Sequence, residues 1–132
     1  VLPSYFNDHR YELKKSHTVY FVDNGIRNAL LRQFQPLEFR NDLDVLWKNW
    51  VISERRKANS LAGREVASYF WKTHTRQEMD YIEVSETGIN AYKMQWDKRR
   101  KIKIPASFTD YYPEIKTTGI NRSTFLSLLT RK

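Results

Sequence analysis

Two pairs of polar residues with metal-binding or charge-neutralising chemistry occur in the stretch EMDYIEVSETGINAYKMQW, residues 78–96. Glu78 and Asp80 stand two residues apart in its first half, and Lys93 and Gln95 stand two residues apart in its second half. Mg²⁺ assists phosphodiester hydrolysis when carboxylates bind it, and a nearby lysine can neutralise the phosphate. The first half therefore supplies part of such a site, whereas the second half lacks the carboxylate that would complete it.

The stretch predicts two strands around a turn, and residues two apart on a strand share a face. The face that carries the polar pairs is predicted to consist of Glu78, Asp80, Ile82 and Val84 on the first strand and of Ile89, Ala91, Lys93 and Gln95 on the second.

The length of the turn decides whether Asp80 and Lys93 meet. A four-residue loop, Ser85–Gly88, places Val84 opposite Ile89 and Asp80 opposite Lys93, whereas a three-residue loop with a glycine bulge separates the charges. The sequence is compatible with both loops. An ammonium opposite Asp80 would repel a metal ion and compete for the carboxylate. The residues by themselves therefore favour a structural ion pair and leave Asp80 as a weak candidate for a metal ligand.

The other predicted elements place this hairpin in a mixed α/β domain. Runs of β-branched and aromatic residues predict strands, and helical spacing of apolar residues, bounded by prolines, predicts helices. In chain order we expect a strand over Thr18–Val22, a helix from Ile26 that Pro36 ends, a second helix from Leu43, a strand over Glu65–Trp71, the hairpin, a helix that Pro105 starts, a strand over 114–120 and a closing helical turn over 123–129. This order predicts a partly antiparallel sheet with flanking helices.

The second helix has the clearest pattern in the chain. Asp42 precedes it as a cap, and Gly63 ends the segment. Its apolar residues form one stripe, Leu43, Leu46, Trp47, Trp50 and Val51. The stripe predicts a buried face on which both indoles anchor the core.

The composition indicates one basic domain and excludes several kinds of chemistry. The chain has 132 residues, of which 40% are hydrophobic, and a formal net charge of +8 that favours anionic partners. There is no cysteine, which excludes thiol chemistry and fits a cytoplasmic location. The three histidines are scattered and the four glycines form no phosphate-binding loop, so neither a zinc site nor a nucleotide loop is predicted. No apolar run has the length of a membrane span, so no membrane partner is expected.

The basic residues concentrate in two clusters that could contact nucleic acid. The candidates are Arg55, Arg56 and Lys57 on the second helix, and Lys98, Arg99, Arg100, Lys101 and Lys103 after the hairpin. Each cluster would equally suit a solvated surface, and salt-dependent binding distinguishes the two interpretations.

Three stretches, in order, resemble the uncharacterised C-terminal domain of many prokaryotic AAA+-type ATPases. They are VYFVDNGIRNALL, LWKNWVISERRK, and YFWKTHTRQEMDYIEV followed by AYKMQW, and the resemblance covers essentially the whole chain. It implies an ATPase domain upstream, residues 1–17 as the end of a linker or winged-helix segment, and residues 18–132 as the domain itself. That domain is similar to PD-(D/E)xK nucleases, which implies a restriction-endonuclease-like α/β core with a mixed central sheet flanked by helices.

The resemblance also assigns site positions. Asp80 matches the aspartate of the nuclease pattern, and Glu78 matches the acid before it. The helix acid falls at Lys48, and the usual AYEFKW is AYKMQW here, so the glutamate falls at Lys93 and the lysine at Gln95. Three of the four positions of the pattern, all but Asp80, therefore depart from it.

These observations lead to three hypotheses. The first is a degenerate, non-catalytic nuclease-like domain that binds nucleic acid or protein as a regulatory module of an ATPase and needs no cofactor of its own. The alternative is a metal-dependent nuclease that uses Asp80 and Glu78 with Mg²⁺. The third is a purely structural oligomerisation domain that packs against the ATPase domain.

Overall fold

A computed structural model of the chain describes residues 2–5, 17–18, 43–97 and 99–130. Its helices are α1 (Leu43–Leu61), α2 (Ala106–Tyr111) and α3 (Phe125–Thr130). Its strands are β1 (Leu2–Pro3), β2 (His17–Thr18), β3 (Ala67–Lys72), β4 (Glu78–Ser85), β5 (Gly88–Gln95) and β6 (Lys116–Asn121). The predicted strand beyond Thr18, the helix from Ile26, the Asp42 cap and Lys98 lie outside the described residues.

A four-stranded mixed sheet in the order β3-β4-β5-β6 forms the centre of the domain. The strands β3, β4 and β5 pair antiparallel, whereas β5 and β6 pair parallel and α2 lies in the connection between them. The predicted α/β class, with a partly antiparallel sheet and flanking helices, is confirmed. Within the described residues, no helix is both long and apolar enough to cross a membrane.

The sheet separates two hydrophobic clusters. On one face, α1 and α3 contribute Trp47, Val51, Ile52 and Leu128 to a cluster with Tyr81, Tyr92 and Met94 of the sheet. On the other face, α2 contributes Phe108 to a cluster with Trp71, Met79, Ile82 and Ala91. The two faces are therefore covered by different helices, and the direction in which a strand residue points decides which helix it meets.

The first described residues belong to the packed domain. Leu2 is 1% exposed and lies in the cluster under α1. The Tyr5 N–H donates to the Phe70 carbonyl at 2.7 Å, and the Tyr5 ring contacts Tyr69 and Tyr112 edge-on. The resemblance implied that residues 1–17 are the end of a linker or winged-helix segment; of the residues described there, Leu2 packs in the cluster on one face of the sheet and Tyr5 in the cluster on the other.

The helix α1 ends where its glycine allows a left-handed turn. Gly63 has φ +69°, its N–H donates to the Ser60 carbonyl, and the Arg64 N–H donates to the Asn59 carbonyl. These two hydrogen bonds form a Schellman motif, in which the residue at Gly63 must adopt positive φ. The predicted end of the helix is confirmed.

One of the two predicted indole anchors lies outside the core. Trp47 is 7% exposed, but Trp50 is 40% exposed and packs its ring against Phe125 of α3. The buried face of α1 also includes Ser53 and Arg55, and Glu83 of the sheet accepts the hydrogen bond from Arg55 there. The apolar stripe therefore located the helix but misplaced the centre of its buried face.

The hairpin has the register of the four-residue-loop alternative, but its turn is shorter, because Ser85 ends β4 and Gly88 starts β5. Val84 pairs with Ile89, and Ser85 pairs with Gly88, whose φ of +132° favours glycine. This is the register in which the sequence analysis placed Asp80 opposite Lys93.

The regular pairing does not extend to Asp80 and Lys93, because β4 contains one extra residue. Tyr69 pairs with Ile82, but Trp71 pairs with Met79, so three steps along β4 match two steps along β3. Such a bulge interrupts the alternation of side chains. Ile82 and Met79 consequently point to the α2 face, and Asp80 points to α1. The prediction that Asp80 and Ile82 share a face is wrong for this reason.

Arg55 lies in a buried ion pair and not in an exposed basic cluster. Its Nε donates to Glu83 Oε2 at 2.8 Å, and its Nη2 donates to Glu83 Oε1 at 2.9 Å. Its Nη1 donates to the Leu128 carbonyl at 2.9 Å, and Asn59 donates to the same Glu83 carboxylate. Since Arg55 is 5% exposed, its assignment to a nucleic-acid contact is corrected: it fastens α1 to β4 and α3.

This ion pair predicts a loss of stability in acid. Burial alone would raise the pKa of the Glu83 carboxyl, but the hydrogen bonds from Arg55 and Asn59 outweigh burial and hold that pKa below its ordinary value of 4.5. A depressed pKa gives stability that is present above the ordinary value and lost as the pH falls through the folded-state pKa. We expect the free energy of unfolding of the wild type, measured with urea, to fall as the pH is lowered below 4.5.

The Glu83→Gln variant tests this assignment. It should lose about 3 kcal/mol at neutral pH, because an uncompensated guanidinium stays buried, and should depend less on pH in the acid range. Glu86→Gln, which removes an exposed carboxylate of the hairpin turn, is the control and should keep the wild-type profile. A Glu83→Gln variant with the same acid slope as the wild type would contradict the prediction.

Candidate functional site

An ammonium group lies between two carboxylates where α1 meets the end of β5. Lys48 Nζ is 2.9 Å from Asp44 Oδ2, one helical turn earlier on α1, and 3.1 Å from Asp80 Oδ1 on β4. The side chains of Lys48 and Asp80 are 16% and 5% exposed, so most of this contact is shielded from water. These three residues are named the Asp44–Lys48–Asp80 bridge below.

Backbone groups at the end of β5 fix both carboxylates. The Met94 N–H donates to Asp80 Oδ2 at 2.7 Å, and the Trp96 N–H donates to Asp44 Oδ1 at 2.9 Å. Each carboxylate thus has one oxygen on a backbone N–H and the other on the ammonium. The Asp80 carboxylate accepts this hydrogen bond just beyond the point where the regular pairing of β4 with β5 ends.

The electrostatics of the bridge keep Lys48 charged. Burial by itself would lower the pKa of the Lys48 ammonium, but the charges of Asp80 and Asp44 and the hydrogen bonds to them raise that pKa above its ordinary value. Burial also raises the pKa of the Asp80 carboxyl, and Lys48, Lys93 and the Met94 N–H oppose that rise. We treat Lys48 and Asp80 as ionised at neutral pH. Both oxygens of Asp80 accept a hydrogen bond, one from Lys48 and one from the Met94 N–H, as a carboxylate does.

Lys93 pairs with Glu78 and not with Asp80. Its Nζ donates to the Glu78 carbonyl at 3.1 Å and lies 3.8 Å from Glu78 Oε1. The positive charge of Lys93 still acts on the pKa of Asp80 from nearby. The predicted cross-strand pair of Asp80 with Lys93 is wrong, because the extra residue in β4 turns Asp80 towards Lys48.

Gln95, to which the resemblance gave the position of the nuclease lysine, hydrogen-bonds to the basic loop that follows β5. Its Nε2 donates to the carbonyls of Asp97 and Arg100, each at 2.9 Å. The Asp97 carboxylate in turn lies 3.3 Å from Arg99 Nε and 4.0 Å from Arg100 Nε. The side chains of Arg99 and Arg100 are 84% and 82% exposed, so the loop presents them to the solvent.

The remaining described candidates for anion contact are also exposed. Lys101 and Lys103 continue the loop, and Arg56 and Lys57 lie on the outer face of α1. Lys57 Nζ is 3.2 Å from Glu54 Oε1. Of the three basic residues of the α1 cluster, only Arg55 is buried. The remaining candidates therefore form an exposed loop after β5 and an exposed face of α1.

The bridge does not fit a divalent cation. Mg²⁺ requires oxygen ligands at about 2.0–2.1 Å, and the position between the Asp44 and Asp80 carboxylates is taken by Lys48 Nζ. Within residues 2–5, 17–18, 43–97 and 99–130, no group of three or more His, Cys, Asp or Glu side chains could hold a metal ion. The bridge, as the described residues form it, therefore does not fit a metal ion.

Sequence reasoning missed Asp44 and the backbone donors of β5. Asp44 stands four residues before Lys48, a spacing that by itself predicts a helical ion pair, so this half of the bridge carries a local signal. The N–H groups of Met94 and Trp96 carry none, because any residue except proline offers an N–H. Only the fold brings them to the two carboxylates.

A cavity of about 820 Å³ lies away from the bridge, between the end of α1 and the hairpin turn. Its lining includes Arg56, Asn59, Arg64 and Glu86. The cavity is open and contains no member of the bridge, so it adds nothing to the chemistry of Asp80.

The comparisons with known proteins found no similarity. No family model matches the chain, and no curated protein and no solved structure matches it.

The bridge predicts a large loss of stability for Lys48→Met. The substitution keeps the length of the side chain but leaves the Asp80 carboxylate buried without its nearest cation, which should cost about 3 kcal/mol in urea unfolding at neutral pH. Lys57→Met is the matched control, since its ion pair with Glu54 is exposed and should contribute at most about 0.5 kcal/mol. Similar losses for both variants would show that the bridge does not stabilise the fold.

Proposed function

We propose that this chain is a degenerate, non-catalytic nuclease-like domain that binds nucleic acid as a regulatory module. The observation that carries the proposal is the Asp44–Lys48–Asp80 bridge. In it the Lys48 ammonium, at the position that the resemblance gives to the helix acid, neutralises Asp80, the carboxylate that matches the aspartate of a metal-dependent nuclease. In this proposal the site no longer binds a metal ion, and its ion pair instead holds α1 to the sheet.

The exposed basic loop supports an anionic partner. Arg99, Arg100, Lys101 and Lys103 extend from one ordered segment, in a chain with a formal net charge of +8. Flexible cations on an ordered backbone suit phosphate groups, whose contacts release counterions and make binding sensitive to salt. Gln95 contributes by holding the loop through two carbonyl groups.

The wider setting of the proposal comes from the resemblance to the C-terminal domain of AAA+-type ATPases. In that setting the domain acts in the cytoplasm as part of a longer chain, its partner is the upstream ATPase domain, and a restriction-endonuclease-like core provides its scaffold. Nucleic-acid binding by the module would then place the ATPase on its substrate.

The loss of metal chemistry predicts that the wild type binds no Mn²⁺ and cleaves no DNA or RNA. A variant that combines Lys48→Glu, Lys93→Glu and Gln95→Lys restores the nuclease pattern and should gain Mn²⁺ binding in calorimetry, because it replaces the obstructing ammonium by a carboxylate. Circular dichroism checks that it folds. A folded variant without Mn²⁺ binding would contradict a decayed metal site, and wild-type cleavage that Asp80→Ala abolishes would establish the nuclease alternative.

Nucleic-acid binding through the basic loop predicts a steep dependence on salt. In fluorescence anisotropy with a labelled oligonucleotide, we expect the affinity to fall between about 50 and 200 mM salt. Removing Arg99 and Arg100 together by alanine should reduce the slope of the log–log plot by about two, one for each lost phosphate contact.

The double variant Arg56→Ala with Lys57→Ala removes the same charge from α1 and serves as the control. If both double variants reduce the slope equally, the loop is not the specific contact. Absence of binding at the lowest salt concentration would exclude the proposed function and leave a protein-binding or self-associating domain, which light scattering would detect.

A further inference from the structure

Four aromatic side chains form a continuous row across α1, α3 and the end of β5. Trp50 contacts Phe125 with ring centroids 5.4 Å apart, and Phe125 contacts Trp47 at 6.3 Å. Trp47 contacts Trp96 at 6.1 Å, and the Arg122 guanidinium lies 5.1 Å from the centroid of Trp96. Trp50, Phe125, Trp47 and Trp96 are named the aromatic row below.

The row is buried in its middle and exposed at one end. Trp47 is 7% exposed, whereas Trp50 is 40% exposed. The Trp50 ring contacts Phe125 at an interplanar angle of 69°. A large aromatic ring that is partly exposed and packed against a second ring is the kind of surface on which a base stacks.

Positive charge flanks the row on both sides. Beyond Trp96 the chain continues directly into Asp97, which holds Arg99 and Arg100 at 3.3 and 4.0 Å. On α1, Lys57 follows Trp50 by two turns, about 10.5 Å along the helix axis, and its side chain is 57% exposed. An apolar partner alone would gain nothing from these cations, whereas a chain of phosphates with exposed bases would use both features.

The geometry points to single-stranded nucleic acid as the ligand of this surface, with a base stacked on Trp50 and phosphates at Arg99 and Arg100. The inference rests on the nucleic-acid binding proposed above and narrows its ligand class. In a duplex the base faces are covered by neighbouring pairs, so Trp50 could not stack on them. The Trp50 contact therefore distinguishes a single strand from a duplex, whereas the loop contacts both.

The test compares a labelled oligothymidine of about 16 nucleotides with a mixed-sequence duplex of the same length, by anisotropy on the full chain. Trp50→Ala should weaken binding of the single strand about tenfold, the size expected for one lost base stack, and leave the duplex unchanged. Trp50→Phe keeps an aromatic ring and should retain most of the affinity. Leu61→Ala removes another exposed apolar side chain of α1, 90% exposed, and should have no effect.

The variants need a folding control, because Trp50 packs on Phe125 and its removal could destabilise the domain. Urea unfolding is measured for each variant, and Trp50→Leu, which fills the contact without a planar ring, replaces Trp50→Ala if the latter is unfolded. Either variant should leave the salt slope unchanged, since stacking releases no counterions, whereas the Arg99 and Arg100 variants lower it.

The outcomes distinguish failure of the proposed nucleic-acid binding from failure of the stacking on Trp50. Binding of neither oligonucleotide overturns the proposed function and this inference together. Binding that is unaffected in folded Trp50→Ala and Trp50→Leu, or that weakens equally for single strand and duplex, overturns only the stacking on Trp50. Self-association that Trp50→Ala abolishes, with no preference for the single strand, would assign the row to a protein contact and overturn the inference as well.

Discussion

The alternation of side chains along β4 is interrupted at Asp80, and the contact between the sheet and α1 depends on that interruption. A regular strand would have placed Asp80 with Ile82 against α2, in the cluster that contains Phe108. A carboxylate there would have faced an apolar surface, which costs several kcal/mol unless a partner is supplied. The extra residue turns it to the α1 face, where Lys48 and the Met94 N–H meet it.

Two polar networks then hold α1 along its length. Near its start, the Asp44–Lys48–Asp80 bridge joins it to β4 and, through backbone donors, to β5. Two turns later, Arg55 joins it to Glu83 of β4 and to the Leu128 carbonyl of α3. Buried ion pairs add little net stability compared with apolar packing, but an unpaired member is costly. The networks therefore act mainly by fixing how α1 sits on the sheet.

This positioning links the Asp44–Lys48–Asp80 bridge to the proposed binding surface. The bridge holds Trp96 through its backbone N–H, and Trp96 begins the basic loop and ends the aromatic row. Gln95 fixes the loop from the same strand end. Lys48 and Gln95 thus support the fold around the loop through the contacts described above.

Much of the architecture follows from local patterns. The apolar stripe located α1, the glycine at position 63 marked its end, and the strands and turn of the hairpin were found within a residue or two, because these features depend on neighbours in the chain. The fold class followed from the order of these elements. The loop length remained open in the sequence, since both turn types use the same residues.

Two of the three bridge residues were named before the structure, and their partners were not. Asp80 was named from its spacing and Lys48 through the resemblance, Asp44 was missed, and strand parity paired Asp80 with Lys93. A bulge leaves no sequence signal, and one extra residue reverses every side chain beyond it. The burial of Arg55 and the exposure of Trp50 were likewise decided by the sheet, because a helix pattern gives the width of an apolar face but not what lies opposite each residue. The sequence alone determined the elements and their charge, and the tertiary structure decided which charges meet, because ion pairs form between groups that only the packed sheet brings within about 3 Å.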